Sequence, residues 1–143
     1  MNFTDFITHH GKKVNKDYFI NLIQVSKVDG KIAGSELEML HKEGKKFGLT
    51  DPEIDKLINT EGQHTYDAPY SLSEKFEHLY NIALMILADD EVTDSEKKMI
   101  KRFAIEAGFS DKAVDKLLEI LFEGIRKSET EEALLSKFKK NLF

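Results

Sequence analysis

The chain has 143 residues, 41% of them hydrophobic and 33% charged, with two prolines and no cysteine. One domain of this length buries a real core without disulfides, and the missing thiols exclude a disulfide framework, a thiolate zinc site and a cysteine nucleophile. The 21 basic and 26 acidic residues give a net charge of −5, which argues against a general nucleic-acid binder.

In chain order, the opening Met-Asn-Phe-Thr-Asp-Phe has no basic region followed by an apolar stretch, so no signal peptide is expected. A short helix is expected at each end of the chain. Residues 18–28 and 76–88 are apolar nearly all round, which predicts central helices buried on several sides. Met99, Ile100, Phe103, Ala104 and Ala107 form an amphipathic stripe. Val114, Leu117, Leu118, Leu121, Phe122 and Ile125 form a second, and Leu134, Leu135, Phe138 and Leu142 a third. Strand-type alternation is absent. Thr50-Asp51-Pro52-Glu53, Thr93-Asp94-Ser95-Glu96 and Ser128-Glu129-Thr130-Glu131 each fit a capping box at a helix start. Gly48 and Gly108 stand where a helix ends in a left-handed residue. Residues 61–71, with Gly62 and Pro69, read as a mid-chain loop. The longest purely apolar run, 82–88, is far short of the roughly 20 residues that cross a bilayer. The expectation is one all-α domain over 1–143, a compact bundle of about seven or eight helices in a soluble, cytoplasmic protein.

Sliding the sequence by 60 residues without a gap pairs Asp29 with Asp89, Glu36 with Glu96 and Met39 with Met99. It also pairs Gly48 with Gly108 and Asp55-Lys56-Leu57 with Asp115-Lys116-Leu117. The shared apolar register and helix stops predict an internal pseudo-two-fold repeat, with units about 19–58 and 79–118. Each unit carries an acidic turn, Val28 to Glu36 and Ala88 to Glu96. An EF-hand is a poor fit to either turn. With Gly30 at position 6, positions 1 and 3 fall on Val25 and Lys27, and in the second unit on Met85 and Leu87, which bring no oxygen ligands.

The buried helix, Asp29-Gly30-Lys31-Ile32, Glu36 at the next helix start and the Gly48-Leu49-Thr50 stop resemble the tellurite-resistance TerB family. That family includes the TerB-like domain ahead of the J-domain in some DnaJ-like co-chaperones. The resemblance covers roughly 16–118. It implies a compact helical fold with internal pseudo-symmetry, a non-enzymatic stress-response role, and acidic residues that bind a divalent cation such as Ca²⁺, Mg²⁺ or Mn²⁺. Carried over, the metal residues are Asp29, Glu36, Asp89, Asp90 and Glu96; Asp90 stands where the first unit has Gly30. No His-Pro-Asp tripeptide of a J-domain follows.

A structural reading stands beside that one. Glu36 and Glu96 sit where carboxylates cap helices, and Asp29 and Asp89 where Asp closes a turn. The protein is then a helical adaptor for a protein partner, with no metal site. His9-His10, His41, His64 and His78 show no ligand spacing and read as structural or surface residues. Lys97, Lys98, Lys101 and Arg102 read as a solvated basic face. No nucleophile elbow or phosphate loop supports an enzyme.

Overall fold

The computed structural model describes residues 5–8, 12–27, 32, 34–89 and 91–142. Among them are seven α-helices: α1 (Lys16–Val25), α2 (Gly34–Lys45), α3 (Asp51–Glu61), α4 (Leu72–Ile86), α5 (Asp94–Glu106), α6 (Asp111–Arg126) and α7 (Glu131–Leu142). A 3₁₀ turn, Leu87–Asp89, extends α4. The all-α expectation holds, and no described helix is long and apolar enough to cross a membrane. The N-terminal end differs from the expected helix. There a two-residue antiparallel ladder pairs β1 (Phe6–Ile7) with β2 (Lys13–Val14). Its anchor is Val14, which is fully buried, and β2 packs on α4. A pairing this short is stable only against a larger surface.

The two segments that are apolar all round form the centre. Phe19, Leu22 and Ile23 of α1 and Phe76, Leu79, Ile82, Ala83, Met85 and Ile86 of α4 are fully buried. Helix α1 packs on α2, α3, α4 and α5, and α4 on α1, α5, α6 and α7. A helix with apolar side chains on every face needs neighbours all round, and these two have them. The last helix closes the bundle through Leu134 and Phe138, whose ring lies 6.1 Å from Phe76 and 5.7 Å from Phe109.

Helix ends follow local chemistry. Thr50 caps α3 and Thr93 caps α5, each with a full capping box closed by Glu53 and Glu96. The third expected box is corrected: Thr130, not Ser128, caps α7, accepting from the Ala133 N–H. Ser128 instead terminates α6 with φ 58°. Its N–H donates to the Ile125 carbonyl, and the Glu129 N–H donates to Gly124. Gly48 (φ 82°) and Gly108 (φ 107°) end α2 and α5 with the same pair of bonds, Gly48 to Lys45 with Leu49 to Gly44, and Gly108 to Ile105 with Phe109 to Ala104. The loop between α3 and α4 spans 62–71 as expected, pinned by Tyr66. That ring packs 4.8 Å from Phe103, and its hydroxyl bonds His78 Nδ1 at 2.9 Å.

A Cβ in the left-handed region costs roughly 1–2 kcal/mol. Ser128→Gly is therefore expected to raise stability by about 1 kcal/mol, and Gly48→Ala or Gly108→Ala to lower it by about as much. Urea unfolding at fixed pH reads all three; a Ser128→Gly protein no more stable than the parent contradicts the strain argument.

Candidate functional site: the α2–α5 seam

Helices α2 and α5 pack directly against each other. Two ion pairs cross the seam: Arg102 Nη1 donates to Glu36 Oε1 at 2.9 Å, and Lys42 Nζ donates to Glu96 Oε1 at 3.1 Å. Residue 36 lies level with 102 and residue 42 with 96, so the helices run antiparallel. The bonds are reciprocal under the 60-residue offset: 36 + 60 is 96, and 42 + 60 is 102. Each first-turn glutamate thus takes a cation from the facing helix, and the two contacts correspond under that offset.

Arg102 and the neighbouring Lys46 also close helix ends. Arg102 Nη2 also donates to the Lys27 carbonyl just beyond α1. Lys46 Nζ donates to the Met85 carbonyl near the end of α4 at 2.7 Å. The last carbonyls of a helix lack intrahelical partners and carry its negative dipole end, so a cation there satisfies both needs. Arg102 is thus not part of the solvated basic face expected from the sequence. Lys101 pairs with Asp115 of α6 at 3.2 Å.

Beside these pairs lies a group that the sequence reading missed. Glu43 and Glu96 are both fully buried. Lys46 donates to Glu43 Oε1 at 2.7 Å and stands 3.9 Å from Glu96 Oε2. Lys46 thus lies against both carboxyl groups, and Glu43 Oε2 and Glu96 Oε2 are buried with no hydrogen-bond donor. Two ionised carboxylates would leave both oxygens unsatisfied, because each only accepts. Burial pushes the Glu43 carboxyl up to about 8, against the pull of Lys46. Glu96 moves down: burial raises it, but hydrogen bonds from Glu43, the Thr93 N–H and Lys42 outweigh that. The opposite shifts favour the proton on Glu43, where it provides the donor that the buried Glu43 Oε2 and Glu96 Oε2 lack. A clue was present in the sequence. Glu43 falls on the apolar register of Met39, Leu40 and Phe47, and its offset counterpart is the buried Phe103.

The sequence-derived metal residues divide in two. Asp29 and Asp90 lie outside the described residues, as does the side chain of Asp89. Glu36 and Glu96 are described, and the seam holds them six residues apart in level, about 9 Å along the helix axis. Each faces a protein cation, Arg102 or Lys42. Among the described residues no group of three or more His, Asp or Glu side chains is placed to hold a metal ion. An ammonium or a guanidinium thus stands against each of these two carboxylates. Glu43 is sealed from solvent, so its proton serves the seam and reaches no substrate in this conformation. The chain matches no protein-family model, no curated protein and no solved structure.

The proton on Glu43 sets a pH dependence. Unfolded glutamate loses its proton near 4.5, whereas folded Glu43 keeps it to about 8. The folded state binds the extra proton between those values, so stability is fullest at the acid end and falls as pH rises, by at most ~1.4 kcal/mol per pH unit. Glu43→Gln keeps a donor toward Glu96 and an acceptor toward Lys46 but cannot titrate. Urea midpoints at pH 5.5 and 8 are expected to differ less in Glu43→Gln than in the parent; equal differences would falsify the shared-proton assignment.

Proposed function

We propose that this chain is a TerB-like, non-catalytic helical module, built from a duplicated three-helix unit, that acts by docking a protein partner. In this reading the described turn acids are architecture. The observation that carries it is the crossed pairing of Glu36 with Arg102 and Lys42 with Glu96. It spends the two first-turn carboxylates on joining the units, and it has the reciprocity that a duplicated unit predicts. The matching helix starts at 34 and 94 and at 51 and 111 support the same duplication. For the partner, Tyr70 and Leu72 leave apolar surface in solvent at the start of α4, Tyr70 completely. Tyrosine is a residue type favoured at protein interfaces. A stress-response role in the cytoplasm belongs to the TerB-like part of the proposal and rests on the sequence resemblance alone.

A divalent cation held by the turns is the competing reading, and one titration separates the two. A ligand bound only by the native state raises the melting temperature by mass action. Metal-stripped protein titrated with Ca²⁺, Mg²⁺ and Mn²⁺ to millimolar concentration is expected to melt at an unchanged temperature. A saturable rise that Asp29→Asn with Asp89→Asn abolishes would establish the cation site and overturn the architectural reading. Arg102→Ala supplies the positive control. It leaves Glu36 and the Lys27 carbonyl without their donor and is expected to cost on the order of 2–3 kcal/mol with no metal present.

A further inference from the structure

His41 is held at both ring nitrogens. On α2, its Nδ1 lies 2.7 Å from Asp51 Oδ1, and its Nε2 lies 2.8 Å from Asp55 Oδ1. Asp51 is the first residue of α3 and Asp55 lies one turn further on. A neutral imidazole has one N–H and one lone pair, whereas ionised carboxylates only accept. Two carboxylates facing both nitrogens are therefore satisfied only by the imidazolium. Neutral His41 would keep one of these bonds and turn a lone pair toward the other oxygen.

The remaining charges around the ring leave that logic intact. Lys45, one turn along α2, shares Asp51 at 3.1 Å. From α5, Glu96 and Arg102 reach α2 but engage Lys42 and Glu36. Helix α1 meets α2 through apolar groups, the Phe19 ring lying over Gly44. Burial pulls the His41 pKa down, yet the hydrogen bonds to Asp51 and Asp55 outweigh it and hold the group above its ordinary value of 6.5. Those partners in turn draw Asp51 down, His41 first and Lys45 second.

Sixty residues on, the corresponding junction is built without a histidine. Residue 101 is lysine, and its Nζ lies 3.2 Å from Asp115, the counterpart of Asp55. The α5–α6 junction is thus closed by a lysine and the α2–α3 junction by a histidine.

We propose that His41 is a proton-operated catch that fastens the first two turns of α3 to α2 and releases them as pH rises through the neutral range. The sign follows from linkage. The folded state holds the His41 proton more tightly than the unfolded chain, so the catch contributes fully below the unfolded value and is lost as pH rises through the folded one. Release loosens α3 without removing its capping box, so the expected change is local opening of α3 and not global unfolding.

The test is carried out on the intact chain by NMR, following the His41 Hε1 shift and amide hydrogen exchange, corrected for intrinsic rates, from pH 5.5 to 8.5. The expected His41 midpoint lies above 6.5. Protection of the α3 amides from 54 to 58 is expected to fall through the same pH range. The loss approaches about tenfold for each unit by which the folded pKa exceeds the unfolded one. His41→Lys installs the cation of the second junction, and its α3 protection should then fall with pH no more than that of α2 and α5. Asp55→Asn should lower the His41 midpoint while the protein stays folded. Titration of the Glu43 pair would weaken α2 and α5 along with α3, and it would persist in His41→Lys. A His41 midpoint at or below 6.5, or an equal loss of α3 protection in His41→Lys, overturns the proposal.

Discussion

The structure depends on how α2 and α5 are joined. Apolar packing alone would let two antiparallel amphipathic helices slide or rotate against each other, because burial is nearly non-directional. The crossed pairs, Glu36 with Arg102 and Lys42 with Glu96, remove that freedom. Each fixes one level of the seam, and two fixed levels about 9 Å apart set both register and direction. Ion pairs of this kind add little net stability once desolvation of the buried Glu96 and the half-buried Glu36 and Arg102 is counted, but breaking one strands a charge. Their role here is to specify one arrangement, and the energy of the bundle lies in the apolar faces of α1 and α4.

The seam also shows why a buried carboxyl is tolerated in the core. Glu43 occupies a position where Met39, Leu40 and Phe47 would predict another apolar side chain. An ionised carboxylate there would carry a large desolvation cost. Lys46 offsets part of it and, with its other bonds, closes the end of α4 at Met85. A shared proton removes most of the rest, since Glu96 can then stay ionised for its three donors while Glu43 is neutral. The cost of burying the acid is thereby tied to a gain elsewhere: the lysine that neutralises it also joins α2 to α4.

How much of this could be read from the sequence differs element by element. The buried helices α1 and α4, the capping boxes of α3 and α5 and the left-handed glycines were legible because each depends on residues close in sequence. The Ser128 box failed for a local reason too. Two overlapping hydroxyl positions, 128 and 130, competed for the cap, and the need to end α6 took Ser128 into the left-handed region. The N-terminal ladder was illegible because two residues per strand are too few to show alternation. Glu36 and Glu96 were found, but their partners were not. A turn rich in acids looks the same whether a metal ion or an arginine 66 residues away neutralises it. Only the offset could have pointed there, by noting that residues 42 and 102 are both cations.

Compared across that offset, α2 and α5 share some positions and differ at others. The crossed pairs are the same at both ends of the seam, with lysine at 42 and arginine at 102. Around them the two helices differ in ways that each make α2 responsive to protons. Position 43 holds an ionisable acid where 103 holds phenylalanine, and position 41 holds histidine where 101 holds lysine. Both differences fall on α2, one facing the seam and one facing α3. Raised folded-state pKa values at both sites have the same sign, so each weakens its contact as pH rises. Helix α5 has phenylalanine and lysine at those positions. A scaffold with symmetrical joints thus carries its proton dependence on one side, and α2 is the element through which a change of pH is felt by α3 and α5 together.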